Sequence, residues 1–184
     1  MRRKRRNKNK EINKETVSWI VHITVPIILA FVLVFCVGMR ISVIGVSMED
    51  TLYNEQQILV NRLSYLFFQP NKGDIIVFKL NGNRNTHYYV KRVVAVPGDK
   101  VQIKEGKLYI NDEVTDFEYD KIMDCGIAEN ELTLEKNEFF VMGDNCNNSE
   151  DSRSDNIGPI KKSMIKGKAW FQLGSEEKSA GFIH

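Results

Sequence analysis

Twenty-three consecutive residues, Val17 to Met39 (VSWIVHITVPIILAFVLVFCVGM), contain no charged side chain. Coiled as a helix at about 1.5 Å per residue, such a run reaches about 34 Å, enough to cross a hydrocarbon layer of about 30 Å. Pro26 is tolerated in a spanning helix, where neighbouring groups re-satisfy the backbone. His22 lies close enough to one end to meet the interface. A removable export signal shares the basic start, but its apolar core runs about 7–15 residues and ends at a small-residue cleavage site. Met39-Arg40-Ile41-Ser42 is not such a site. The segment therefore reads as an uncleaved anchor over residues 17–39, with a basic tip over 1–16 and one domain over 40–184.

Charge gives this layout a direction. Residues 1–16 hold eight Lys/Arg against two acidic residues, a local +6 in a chain of net +2, so the remainder carries −4. Basic residues collect on the cytoplasmic side of a span, which puts the N-terminus inside and residues 40–184 outside. A basic tip can also signal nucleic acid, but next to a span it reads as a contact with anionic lipid. The expected setting is a cell membrane crossed once, with the lipid bilayer rather than nucleic acid as partner.

The three cysteines, Cys36, Cys125 and Cys146, are too few and too scattered for a disulfide scaffold or a zinc site, and no Cys-x-x-Cys is present. Cys125 and Cys146 could pair in an oxidising compartment, which spacing alone does not decide.

Beyond the anchor the pattern is mostly β. Expected strands are Gln57–Asn61, Asp74–Leu80, His87–Val96, Phe139–Met142 and Met164–Leu173, rich in β-branched and aromatic residues. Val101–Ile103 and Leu108–Ile110 flank Lys104-Glu105-Gly106-Lys107 as a hairpin. Many short strands without long helical periodicity argue for one all-β domain rather than βαβ units. Ser175–His184 reads as a loose tail. Tyr65-Leu66-Phe67-Phe68 reads as core, the alternative being an apolar patch that rests on a bilayer.

Two stretches of this domain carry chemistry. Gly45-Val46-Ser47-Met48-Glu49-Asp50-Thr51-Leu52 offers a serine in a turn, and Tyr89-Val90-Lys91-Arg92-Val93-Val94-Ala95 offers a lysine in an apolar run 44 positions later. A serine hydroxyl needs a base before it attacks. A free lysine has a pKa of about 10.4, so only roughly one in a few thousand is neutral at pH 7. Burial that lowers it to about 7–8 makes it a competent base. A lysine on a strand is more often a solvated charge, and a serine beside glycine is more often turn chemistry. The pair gains weight from the polar loop Gly143-Asp144-Asn145-Cys146-Asn147-Asn148-Ser149-Glu150-Asp151-Ser152-Arg153, whose hydroxyls and carboxylates can orient a lysine and tie a loop down. This loop lacks the spacing of a calcium-binding EF-hand. His87 is a competing base, on the same expected strand as Lys91 and four positions from it, hence on the same face.

Four blocks in order, the span, GVSMEDTL, GDIIVF with YVKRVVAVPGD, and GDNCNNSEDSR, resemble the bacterial type I signal peptidases. These are membrane-bound serine proteases that cut signal peptides from exported proteins. The short single-anchor layout is similar to the Gram-positive branch. The blocks lie within residues 17–153, with unmatched stretches between them. The resemblance implies Ser47 as nucleophile and Lys91 as general base. It implies Ser149 as a hydrogen-bond partner of the lysine, Asp151 with Arg153 as a shaping salt bridge, and Asp144 with Arg92 as a second ion pair. Shallow pockets for small substrate residues would be lined by Ile44, Met48, Leu52 and Val90. The substrate would add as a strand to an open edge. The backbone N–H of Ser47 would hold the oxyanion.

The resemblance also implies preprotein signal peptides as partners, and no metal or cofactor. Three places depart from the family pattern: Gly45 where some relatives carry a hydroxyl, Asp50 where proline is usual, and Cys146 where arginine is usual. The rival function is an anchored β module that binds a narrow set of exported or pilus-type subunits. A related self-cleaving Ser/Lys repressor would bring a DNA-binding domain in place of the span.

Overall fold

In the computed structural model the backbone is described for residues 2–80 and 87–183, and side chains for 14–34, 38–80 and 87–183. The side chains of most of the basic tip, and that of Cys36, lie outside the described residues. The chain divides into two compact units, residues 1–38 and 39–184.

The first unit is one helix, α1 (Arg2–Val37). Its stretch Lys14–Val34 is 21 residues long, with mean hydropathy 2.4, long and apolar enough to cross a membrane. Trp19 and Phe31 are exposed on it, an arrangement that water does not favour and lipid does. Polar side chains inside the run fold back on the helix. The Thr24 hydroxyl donates to the Ile20 carbonyl at 2.8 Å, and His22 Nδ1 lies 2.7 Å from the Ser18 carbonyl oxygen. The helix stops short of the expected Met39. Gly38 N–H closes on the Val34 carbonyl at 2.9 Å, and Met39 already belongs to a strand. Uncharged composition does not separate the last turn of a span from the first strand of the next unit.

The second unit is β-rich, as the strand pattern implied. Its elements are β1 (Met39–Ser42), β2 (Gln57–Asn61), a single helical turn α2 (Ser64–Phe67), β3 (Ile75–Phe78), β4 (Tyr89–Ala95), β5 (Lys100–Lys104), β6 (Lys107–Ile110), β7 (Glu113–Val114), β8 (Leu132–Thr133), β9 (Glu138–Met142), β10 (Ile160–Lys161), β11 (Ile165–Gln172) and β12 (Gly181–Phe182). Two sheets form. One runs β1-β2-β11-β3-β4-β9-β10 with β12 beside β11; the other runs β7-β6-β5-β8. All pairings are antiparallel. The β5–β6 hairpin turns through Glu105 and Gly106 at φ +52° and +77°, left-handed angles that suit a two-residue loop.

The centre of the larger sheet is apolar on both faces, which explains the unbroken run Ile75-Ile76-Val77-Phe78. Ile75 and Val77 pack with Met48, Leu52, Ile58, Val60 and Val90. Ile76 and Phe78 pack with Val93, Phe139, Val141 and Ile160. A third cluster joins the sheets, with Val94, Ala95, Phe140 and Met142 against Val101, Ile103, Leu108 and Cys146. Strand β4 contributes to all three, so a side chain on it is surrounded by packed material.

Two expectations change. Leu66, Phe67 and Phe68 are 71%, 78% and 71% exposed, so this run is surface; only Tyr65 reaches inward, donating to Asp74 at 2.9 Å. Four residues make one helical turn, and a single turn buries one side of itself. The C-terminal tail is not loose: β12 pairs Phe182 with Phe171 and Gly181 with Gln172, and the Phe182 ring meets Trp170 and Phe171 at 5.9 and 5.5 Å. Two-residue strands carry too little periodicity to be read from sequence.

Candidate active site

Ser47 sits in a tight turn. Gly45 precedes it at φ +90°, and its N–H donates to Asn54 Oδ1 at 2.8 Å. A side chain at position 45 would meet open space, so the left-handed backbone is what selects glycine there. After Ser47 the Met48 carbonyl accepts the N–H groups of Thr51 and Leu52 at 3.0 and 2.7 Å. Met48 and Leu52 are fully buried and pin the turn to the core. Both back the turn from within and present no surface to a peptide, Val90 is almost as deeply buried, and Ile44 is exposed. Of the four residues expected to line a pocket, Ile44 alone offers open area. Asp50 has φ +78°, an angle proline cannot adopt, so the departure at this position has a backbone counterpart.

Lys91 lies on β4 opposite Ile76 of β3 and is 4% exposed. Its Nζ is 2.5 Å from Ser47 Oγ, its one hydrogen bond among the described residues. Burial lowers the lysine pKa to about 8, against the opposing pull of Asp151 and Glu150. A solvated surface lysine would show neither feature. Among the described residues His87 makes no hydrogen bond to Ser47 or Lys91. It is exposed, and β4 begins only at Tyr89, so the shared strand face does not exist.

The polar loop after β9 packs against the pair. Asp151 is 1% exposed and Arg153 5%. Their fork is bidentate, Arg153 Nε to Oδ1 at 2.8 Å and Nη2 to Oδ2 at 2.9 Å. Arg153 also donates to the carbonyls of Asp124 (2.9 Å) and Cys146 (2.5 Å). Ser149 Oγ donates to Asp151 Oδ2 at 2.7 Å, so here the serine is held by the carboxylate rather than bonded to Lys91. Arg92, next to the lysine, grips Asp144 through two bonds of 2.8 Å and donates to the Gly73 carbonyl at 2.8 Å. Both pairs are bidentate and shielded from water, the geometry in which Arg–carboxylate contacts fix position. Cys146 has a core place where an arginine was usual, and burial raises its pKa. Cys125 and Cys146 are free thiols.

Two residues in this loop had no role assigned from sequence. A Cβ on Gly143 would lie 2.3 Å from the Ser47 carbonyl oxygen and 2.4 Å from Ser149 Oγ. Asn145 donates its N–H to the Ser47 carbonyl at 3.1 Å and its side-chain amide to the Val46 carbonyl at 3.2 Å. The signal was a Gly-Asp-Asn run directly after a strand, but its target is 96–99 positions away in the chain, where no local pattern points. Gly143→Ala is expected to lower any chemistry run by the Ser47–Lys91 pair by about a hundredfold, because displacements of about 1 Å cost that much, and to destabilise by about 1–3 kcal/mol through overpacking. Turnover and thermal unfolding of the variant measure the two effects. Wild-type turnover would show that the contact is not critical.

Residues 16–173 match the family described as signal peptidase, peptidase S26. Signal peptidase I P of Bacillus subtilis subsp. natto is 32% identical over 170 residues, covering 88% of this chain and 90% of that protein. Signal peptidase IB of Staphylococcus aureus strain Mu50 is 34% identical over 183 residues, covering 88% and 91%. A crystal structure of a signal peptidase I from Enterococcus faecalis overlays with a TM-score of 0.43 at 26% identity, covering 55% of this chain and 97% of that one. A match over most of the chain, with two relatives at a third identity along nearly their whole length, means that this chain belongs to the signal peptidase family, peptidase S26.

Proposed function

We propose that this protein is a membrane-anchored serine endopeptidase that removes signal peptides from exported preproteins with a Ser47–Lys91 dyad. The observation that carries the reading is the buried amine of Lys91 at 2.5 Å from Ser47 Oγ. Neutral Lys91 takes the hydroxyl proton as Ser47 attacks the scissile carbonyl. Lys91 passes that proton to the leaving amine, which departs, and an acyl-enzyme remains on Ser47. Neutral again, Lys91 draws a proton from the water that attacks the ester and returns it to Ser47 Oγ as the acid is freed. The Ser47 backbone N–H donates to the oxyanion. Asp151, Arg153 and Ser149, with Asp144 and Arg92, keep the loop and β4 in register with the dyad. A binding-only role leaves a costly buried amine without a use.

The substrate adds as a strand to β1, the edge of the larger sheet. In support, a cavity of about 380 Å³ lies there, lined by β1 residues, Ile44, His87 and Tyr88. Ile44 meets the small substrate residues, with Val90, Met48 and Leu52 as the apolar backing. The helix spans the bilayer, with the basic N-terminus in the cytoplasm and residues 40–184 outside. Leu66, Phe67 and Phe68 supply the apolar surface that rests on lipid.

The test is cleavage of a purified precursor by the full chain in detergent. Ser47→Ala is expected to be inactive, and His87→Ala active. Turnover is expected to rise about tenfold per pH unit below the lysine pKa and to level off above it, with the bend near pH 8. Equal cleavage by Ser47→Ala, or a bend near about pH 6.5 that His87→Ala abolishes, would reject the dyad.

A further inference from the structure

The turn that carries Ser47 is held from two sides. On one side Asn145 binds the carbonyls of Val46 and Ser47. On the other, two further carbonyls of the turn meet a cation from the far end of the chain. Lys178 Nζ lies 3.2 Å from the Asp50 carbonyl oxygen and 2.9 Å from that of Thr51. Between these anchors the backbone passes through Asp50 at φ +78°. That left-handed conformation is unfavourable for a residue with a Cβ, so it persists where the surroundings enforce it.

Lys178 is itself held in place. The tail turn is closed by Ser175 N–H to the Lys178 carbonyl at 2.8 Å and by Lys178 N–H to Ser175 Oγ at 3.2 Å. Gln172, buried at the end of β11, donates to the Ser179 carbonyl at 3.2 Å. The tail then returns to the sheet as β12, and Ile183 N–H reaches the Trp170 carbonyl at 3.1 Å. A lysine presented by an ordered turn loses little further freedom when it binds two carbonyls. The family match ends at residue 173, so this element lies outside the matched segment.

We propose that Lys178 is a positioning residue for Ser47, its ammonium holding the Asp50 and Thr51 carbonyls and with them the turn that presents the nucleophile to Lys91. The proposal rests on the Ser47–Lys91 dyad. Lys178 touches no reacting atom; it fixes the angle at which the serine leaves the turn. A shift of a few tenths of an ångström there lengthens the Ser47–Lys91 contact without unfolding anything, because the freed carbonyls can turn to water.

The experiment is precursor cleavage by the full chain in detergent, with kcat and KM separated. Lys178→Met keeps the apolar stem and removes the ammonium. It is expected to lower kcat about tenfold, a positioning loss smaller than that of a full 1 Å displacement, with KM and the thermal unfolding midpoint unchanged. Lys178→Arg, which can donate to both carbonyls, is expected to restore kcat. A wild-type kcat in Lys178→Met, a change confined to KM, or failure of arginine to restore kcat would overturn the proposal while Ser47→Ala stays inactive. Full activity in Ser47→Ala would instead overturn the dyad, and this proposal with it.

Discussion

Replacing Lys91 with methionine is expected to end precursor cleavage and, at pH 7, to raise the stability of the β-rich unit by about 2–3 kcal/mol. The gain comes from the direction of the lysine shift. Its pKa is about 8 in the fold, against an ordinary value of 10.5. The folded protein therefore binds this proton more weakly than the unfolded chain does, and protonation favours unfolding. The penalty is full below about pH 8, declines as pH rises towards 10.5, and is absent above that. At about 1.4 kcal/mol per pH unit the gap amounts to about 3 kcal/mol, less about 1 for the lost bond to Ser47. Methionine is unbranched, apolar and adaptable enough to fill the space. Urea unfolding at pH 7 should show the gain, and unfolding at pH 11 should show it gone. Equal stability of the two proteins at both pH values would mean that burial does not neutralise this amine.

Asp151→Ala should have the opposite effect on stability. Asp151 accepts the Gly143 N–H, the Ser149 hydroxyl and the Arg153 fork, all inside the protein. Without it the Arg153 guanidinium stays buried and loses its counter-charge, which costs about 3–5 kcal/mol. Removing both charges as Asp151→Leu with Arg153→Met is expected to cost less than Asp151→Ala alone, since no buried ion is left unpaired. Denaturant midpoints of the three proteins decide this, and a double variant worse than the single one would refute it. The shape-conserving Asp151→Asn tests the electrostatics separately. Burial lowers the Lys91 pKa, and Asp151 is foremost among the groups that raise it. Its charge removed, with Arg153 still lowering, the bend in the pH–activity profile is expected to move below pH 8.

How far the sequence reveals this molecule depends on the range of each interaction. The long apolar helix, the strands from β2 to β6, β9 and β11, and the hairpin at Gly106 are legible because their signals repeat within a few residues. The candidate dyad is legible only because motif blocks in order resemble a family; nothing local in Gly45–Leu52 points to Lys91. The run Leu66–Phe68 reads as core and lies at the surface, because hydrophobic character does not say which side of one helical turn faces the sheet. Met48 and Leu52 were expected at a pocket and lie in the core for a similar reason. The family resemblance alone put them at a pocket, and the tertiary structure decides which side of the turn they face.

The sequence by itself determined that this chain has one uncharged run long enough to cross a bilayer and a β-rich remainder, because composition and short periodicities act locally. Only the tertiary structure decided that Lys91 meets Ser47, that Gly143 leaves no room beside the Ser47 carbonyl, and that Lys178 reaches back to Asp50 and Thr51. These contacts join positions from 44 to 128 residues apart. Their geometry comes from strand order and packing around β4, and the same burial that brings the amine to the hydroxyl also lowers its pKa.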